Sequence, residues 1–222
     1  MATPEQPLHL ETVKGPVSAV YGRPRSPVAT IVVAHGAGAG MEHPFLVGFT
    51  RACNEEGIAT LRFNFPYIES GRRSPDTEAV LRDAWRAAFE AASARAKAEP
   101  VWASGKSLGG RIASMAASDG QIHPAGLVFL GYPLHPPGKP ERIRDEHLGR
   151  VDAPMLFLQG TSDPFATPAL LQKVVERLGD RATLVAFEGG GHSFEVRGTK
   201  RDPREIGASL AGPAAAFIRD HR

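Results

Sequence analysis

Gly105-Lys106-Ser107-Leu108-Gly109 places a serine between two glycines, after the apolar run Val101-Trp102-Ala103 and before a helical stretch over residues 110–117. A serine at such a strand-to-helix junction has the pattern of a nucleophile elbow. The turn is tight enough that side chains two before and two after the serine would collide, so glycine stands at both places. The helix behind it aims backbone N–H groups at incoming negative charge. A serine hydroxyl is a poor nucleophile alone and needs a base, which in turn needs an orienting acid.

Two downstream loops offer these partners. Met155-Leu156-Phe157-Leu158-Gln159 reads as a buried strand running into Gly160-Thr161-Ser162-Asp163, so Asp163 falls just past a strand end. The run Ala182–Phe187 leads into Glu188-Gly189-Gly190-Gly191-His192, which puts His192 in a glycine-rich loop at an equivalent position. Loops at one edge of a parallel sheet can converge on one point. Upstream, the strand at residues 28–34 is followed by His35-Gly36-Ala37-Gly38-Ala39-Gly40, whose small residues let backbone approach a substrate. The backbone N–H groups of Ala37 and Leu108 are the expected oxyanion donors, with Gly38 a further contributor. His35, directly at a strand end, is expected to brace the loop. Arg72 and Arg73, after the strand near residues 58–65, suit a carboxylate or phosphate through their guanidinium forks, or else face solvent.

Competing motifs are weaker. Gly36, Gly38 and Gly40 miss the dinucleotide fingerprint by one residue, and the following strand ends in Asn64-Phe65-Pro66 without an acid for a ribose hydroxyl. A phosphate loop ending at Gly105-Lys106-Ser107 would need glycine where Pro100 stands. The eight histidines are scattered, so no metal site and no cofactor is expected; His123 and His147 read as surface or loop residues.

Strands near residues 28–34, 58–65, 101–105, 126–131, 154–159 and 182–187 alternate with helices near 43–56, 75–98, 110–117, 167–178 and 203–219. An extended hairpin or edge strand lies near residues 10–21. Ser74-Pro75-Asp76 is the expected start of the long helix. This alternation predicts an α/β fold with a mostly parallel, doubly wound sheet over a single domain, residues 1–222. Only about 20 residues follow the strand at 126–131 before the next one, which leaves a minimal lid or none. Within them the proline-rich segment 132–140 is either a rim over the site or a plain connection.

The chain has 222 residues, 42% hydrophobic and 23% charged, with a formal charge of +2 and a pI near 8.9. No basic cluster is interleaved with aromatics, which argues against nucleic acid. Cys53 is the single cysteine, which excludes an internal disulfide. The start lacks a basic region followed by an apolar stretch, and no run approaches membrane-spanning length, so a cytoplasmic protein without a membrane partner is expected. The sequence sets no oligomeric state.

With these residues in hand, the chain resembles the α/β-hydrolase superfamily over its whole length. More narrowly it is similar to a compact, dienelactone-hydrolase-like group that includes a subunit of the nonspecific-lethal histone acetyltransferase complex and a testis-expressed relative. The matching segments are residues 35–40, 62–67 with 71–73, 105–111, 131–140 and 159–165. The resemblance implies a three-layer α/β-hydrolase fold with Ser107, Asp163 and His192 as catalytic residues. It departs from true dienelactone hydrolases, which use a cysteine nucleophile, so their substrate is not carried over. Two function classes follow: a serine hydrolase acting on a small acyl substrate, or a scaffold that retains the fold and uses the cleft for a partner.

Overall fold

A computed structural model describes residues 3–221; Met1, Ala2 and Arg222 lie outside the described residues, and the expectation drawn from the chain's start falls partly there. Two short extended segments, β1 (Glu5–Leu10) and β2 (Val17–Gly22), form an antiparallel hairpin. It is joined to a parallel series: β3 (Ala29–Ala34), β4 (Ile58–Phe63), β5 (Val101–Lys106), β6 (Leu127–Leu130), β7 (Met155–Gly160) and β8 (Ala182–Phe187). The eight strands lie in the order β1-β2-β4-β3-β5-β6-β7-β8, with the β1–β2 and β2–β4 pairs antiparallel and the rest parallel.

The central strands are buried on both faces, as their continuous apolar sequences require. Alternation along them sends Val32, Ala34, Leu127 and Phe129 to one side and Ile31, Val33, Val128 and Leu130 to the other. The first side is covered by α3 (Glu78–Ser93), α4 (Leu108–Ser118) and α5 (Pro168–Leu178). The second is covered by α1 (Pro44–Glu55), α6 (Pro203–Ser209) and α7 (Ala211–Asp220). The result is a three-layer α/β-hydrolase fold without a lid. The short α2 (Pro66–Glu69) completes the helices.

Three boundaries differ from the sequence expectation. The long helix starts after Thr77 rather than at Ser74, because Asp76 is held by the Arg72 side chain at 2.6 Å in the loop ahead of it. It also ends at Ser93, short of Pro100. The last helix is two helices meeting at Leu210. Pro213 has no N–H to offer the Ser209 carbonyl, and its ring would crowd that carbonyl, so the chain changes direction there. Finally, His147 is half-buried rather than superficial. It sits in a 3-10 helix (Glu146–Arg150), and its Nε2 lies 2.8 Å from Ser114 Oγ beneath α4.

One buried cation ties the hairpin to the sheet. Arg62, 2% exposed in β4, reaches Glu5 through both guanidinium nitrogens at 2.6 and 3.1 Å, and Glu42 at 3.1 Å. The bidentate contact with Arg62 holds the Glu5 carboxyl below the usual carboxylate range.

Candidate active site

The chain enters the parallel sheet at β3, crosses to β4 on one side, and returns to β5 on the other. The loops after β3 and β5 therefore stand side by side at the carboxyl edge where the winding reverses, the position at which open α/β sheets bind ligands.

Ser107 sits between β5 and α4 with φ 51° and ψ −115°, a left-handed conformation that a side chain-bearing residue adopts at a cost of about 1–3 kcal/mol. The flanking glycines make the turn possible. A Cβ on Gly105 would land on the Gly109–Gly110 peptide, and one on Gly109 would lie 2.6 Å from the Ala34 carbonyl oxygen. Trp85 of α3 donates its indole N–H to the Gly109 carbonyl at 3.0 Å and pins the turn from behind.

His192 and Asp163 reach Ser107 from the loops after β8 and β7. Asp163 is 5% exposed; its Oδ2 lies 2.7 Å from His192 Nδ1, and His192 Nε2 lies 2.8 Å from Ser107 Oγ. An ionised carboxylate only accepts, so Nδ1 carries the proton and Nε2 is left to accept from the serine hydroxyl. Asp163 is oriented on its other sides as well: Oδ1 accepts from the Phe165 amide at 2.8 Å, and Oδ2 accepts from Gln159 Nε2 at 2.6 Å. Phe165 then packs its ring against the His192 imidazole, centroids 4.3 Å apart. The two loops can approach this closely because Gly160 has no side chain; a Cβ there would occupy the position of the Gly190 carbonyl. Phe194, with φ 63°, anchors the histidine loop by stacking on Phe45 and meeting Phe187 edge-on.

The remaining predicted residues divide. Ala37, Gly38 and Ser107 line an open cleft of about 380 Å³, together with His43, Phe45, Leu46, Lys106, Phe165 and His192. Leu108 opens α4, and the Ala37 and Leu108 amides make no hydrogen bond among the described residues. Arg72 and Arg73 are exposed and do not line the cleft. Glu69 bonds the Ser18 amide at 2.9 Å and Asn64 at 2.7 Å, which folds α2 down against β2 and carries the arginine loop outward, where Arg72 pairs with Asp76. Of the two readings of these arginines, the structure shows the solvent-facing one.

His35 is fully buried and has the bracing geometry expected of it. Its Nδ1 donates to the Gly36 carbonyl at 2.8 Å, and its Nε2 accepts from the Phe65 amide at 3.0 Å. Burial lowers its pKa to about 4, so the ring is neutral. The proline-rich segment does not line the cleft. His135 within it accepts the Thr167 amide and donates its own amide to the Phe165 carbonyl, each at 2.9 Å, so this connection braces the loop that carries Asp163.

Sequence reasoning passed over Gln159, Phe165 and the role of Lys106. The available signal was positional: Gln159 and Lys106 are polar residues closing otherwise apolar, doubly covered strands. Among the described residues no cluster of three His, Cys, Asp or Glu side chains is arranged to hold a metal ion, and no helix is long and apolar enough to cross a membrane.

Residues 27–218 match the α/β hydrolase domain family. Among solved structures, the chain is similar to an α/β serine hydrolase without a lid from Xanthomonas campestris, at 24% identity and a TM-score of 0.75, covering 99% of this chain and 96% of that one. It is also similar to a dienelactone hydrolase from Anabaena variabilis, at 19% identity and a TM-score of 0.76, with 99% of each chain covered. Est1E from Butyrivibrio proteoclasticus, solved with ferulic acid bound, matches at 16% identity and a TM-score of 0.76, covering 96% of this chain and 99% of that one. These structural likenesses are of fold. The family match spans most of the sequence, and the chain belongs to the α/β hydrolase domain family.

Proposed function

We propose that this protein is a serine hydrolase that cleaves a small ester, thioester or related acyl compound through an acyl-Ser107 intermediate. The observation that carries this reading is the hydrogen-bonded chain Asp163–His192–Ser107, ending on a strained elbow at the floor of an open cleft. A scaffold has no physical reason to keep a serine in a left-handed conformation with both partners at bonding distance. Kinship with the chromatin-complex subunit is a finer reading supported by sequence motifs alone.

In this mechanism Ser107 Oγ attacks the acyl carbonyl carbon while its proton passes to His192 Nε2. The Ala37 and Leu108 amides stabilise the oxyanion, aided by the amino end of α4. The tetrahedral adduct collapses, the bond to the leaving alcohol or thiol breaks, and His192 returns its proton to the departing atom. Water then attacks the acyl-serine carbonyl and gives a proton to His192, which passes it to Ser107 Oγ as the carboxylic acid leaves. Asp163 stays ionised throughout; it fixes the imidazole tautomer and balances the imidazolium charge.

A fluorophosphonate probe tests the nucleophile. The protein is expected to take up one label, and Ser107→Ala to abolish it. A panel of p-nitrophenyl esters of increasing chain length, run on both proteins, tests turnover. Labelling that persists in the alanine variant would remove Ser107 from this role, and absence of labelling and turnover in the parent protein would favour the scaffold reading.

A further inference from the structure

Lys106 is a cation lining the cleft whose ammonium makes no hydrogen bond or close ion pair among the described residues. It closes β5 one residue before Ser107 and is 8% exposed. Its chain runs between two glycines: Cγ lies 3.5 Å from where a Cβ on Gly36 would stand, and Nζ lies 3.3 Å from the corresponding point on Gly131. A side chain at Gly131 would crowd the ammonium, while one at Gly36 would only touch the stem. Among the described residues the ammonium makes no hydrogen bond, and no carboxylate comes within ion-pairing distance. Asp163 and Glu195 attract it at longer range, but both are already engaged. Asp163 holds His192, Gln159 and the Phe165 amide, while Glu195 accepts from the Ser193 amide at 2.8 Å.

A buried cation is ordinarily paired and fully hydrogen-bonded, because desolvation of an unpaired charge is costly. Lys106 has three donor hydrogens and lines a cleft that leads to the reactive serine. A second feature has the same sign. The twelve-residue helix α1 begins at this cleft, with His43 as its N-cap and Phe45 and Leu46 lining the wall, so the positive end of its dipole lies at the same cavity.

Resting on the serine-hydrolase reading, the geometry points to a carboxylate subsite: Lys106 binds an anionic group on the acyl half of the substrate, a short chain away from the carbonyl that Ser107 attacks. The acyl half is assigned because the acyl group stays bonded to Ser107, the residue next to Lys106, after the alcohol has left, so a partner for its anionic group serves both steps of the reaction. An arriving carboxylate supplies the acceptor that the ammonium lacks.

Asp163 from the loop after β7 and Glu195 from the loop after β8 act on the ammonium, and His192 and His43 are the other titratable groups lining the same cleft. Burial lowers the Lys106 pKa to about 8, against the opposing pull of Asp163 and Glu195. Its charge in the free protein is therefore lost as pH rises through about 8, and recognition of an anion weakens with it.

The test compares monophenyl succinate, glutarate and adipate with neutral phenyl esters of matched chain length, following released phenol. The parent protein is expected to favour at least one anionic ester. Lys106→Met keeps length and volume without charge. It is expected to lower the anionic-to-neutral ratio of kcat/KM by about 10- to 150-fold, the range for a charge-assisted hydrogen bond. In the parent protein the same ratio is expected to fall between pH 7 and pH 9. Two outcomes overturn the subsite: a ratio unchanged in Lys106→Met, or a ratio in the parent that is flat with pH. Ser107 labelling and neutral-ester turnover, measured on the same samples, separate failure of the subsite from failure of the hydrolase reading.

Discussion

Gln159 and His192 donate to the same carboxylate oxygen: Oδ2 of Asp163 accepts from Gln159 Nε2 at 2.6 Å and from His192 Nδ1 at 2.7 Å. Gln159 is itself fixed, because its Oε1 accepts the Tyr132 amide at 2.8 Å. The acid is thus bound to the end of β6 as well as to its own strand, and its orientation does not depend on the loop alone.

This arrangement predicts separate signatures for the acid and its brace. Asp163→Asn should leave the fold intact and slow ester turnover by up to about 10⁴-fold, since an amide no longer fixes the imidazole tautomer. Losses at Ser107, His192 and Asp163 should be strongly non-additive in combination. Gln159→Ala should lower kcat by up to about 100-fold, the scale of a misplacement near 1 Å, with little change in KM. A kcat within twofold of the parent in Gln159→Ala would show that Asp163 holds its position without it.

The elbow predicts a sharp difference between two glycines. Gly109→Ala forces a methyl group to 2.6 Å from the Ala34 carbonyl oxygen, so the turn must open. Fluorophosphonate labelling should be lost, and unfolding by urea should shift to lower concentration. Gly38, with φ 73°, has nothing within 4 Å of the added methyl. Gly38→Ala therefore bears only backbone strain, on the order of 1 kcal/mol. Equal losses in the two variants would contradict the packing argument.

Buried His35 and half-buried His147 give stability a defined dependence on pH. His35 and His147 both have pKa values lowered to about 4, in each case first through burial. Between about pH 6.5 and 4 the unfolded chain takes up protons that the native state refuses, so stability falls as pH falls across that window. One such group contributes a slope of up to about 1.4 kcal/mol per pH unit. His35→Asn should cost about 1–3 kcal/mol at pH 7.5, because the Phe65 amide loses its acceptor. Its unfolding free energy should also be less steep with pH than that of the parent. Denaturant titrations at pH 7.5, 6, 5 and 4.5 measure both quantities.

Lys106 makes a stability prediction that is independent of any substrate. The unfolded lysine binds a proton up to about pH 10.5 and the native one only to about pH 8, so the buried charge destabilises the fold at neutral pH. Lys106→Met should raise the free energy of unfolding at pH 7.5 by an amount on the order of 3 kcal/mol. The gain should vanish above about pH 10.5, where both states of the parent carry a neutral amine. Thermal midpoints of the two proteins at pH 7.5 and 10.5 supply the comparison.

Strand positions and the order of the site residues were legible because doubly covered strands are written as unbroken apolar runs, and because glycine spacing around Ser107 reports a backbone clash directly. The positions of Asp163 and His192 followed from the strand ends before them. The sequence left the direction of the arginine loop open because it is set by Glu69 bonding Ser18, 51 residues away in sequence, a contact with no local pattern. His147 looked superficial for the same reason: its partner, Ser114, lies 33 residues earlier. The break at Leu210 has a local signal in Pro213, which the expectation of one helix over 203–219 did not use.

The crossing of α1 and α6 bears on biosynthesis. Gly48 and Gly207 let the two backbones touch: a Cβ on Gly48 would overlap the Arg204 carbonyl, and one on Gly207 would overlap that of Phe45. Phe45 is part of the cleft wall, so the wall is set by a helix made some 160 residues later. A nascent chain carries the loop with Ala37 early, Ser107 midway, and Asp163 and His192 only in its final third. During vectorial synthesis the polypeptide can assemble β1 to β5 while Ser107 still lacks both partners and the cleft wall lacks its support. The cleft wall and the Asp163–His192–Ser107 chain can therefore be complete only after α6 has been synthesised.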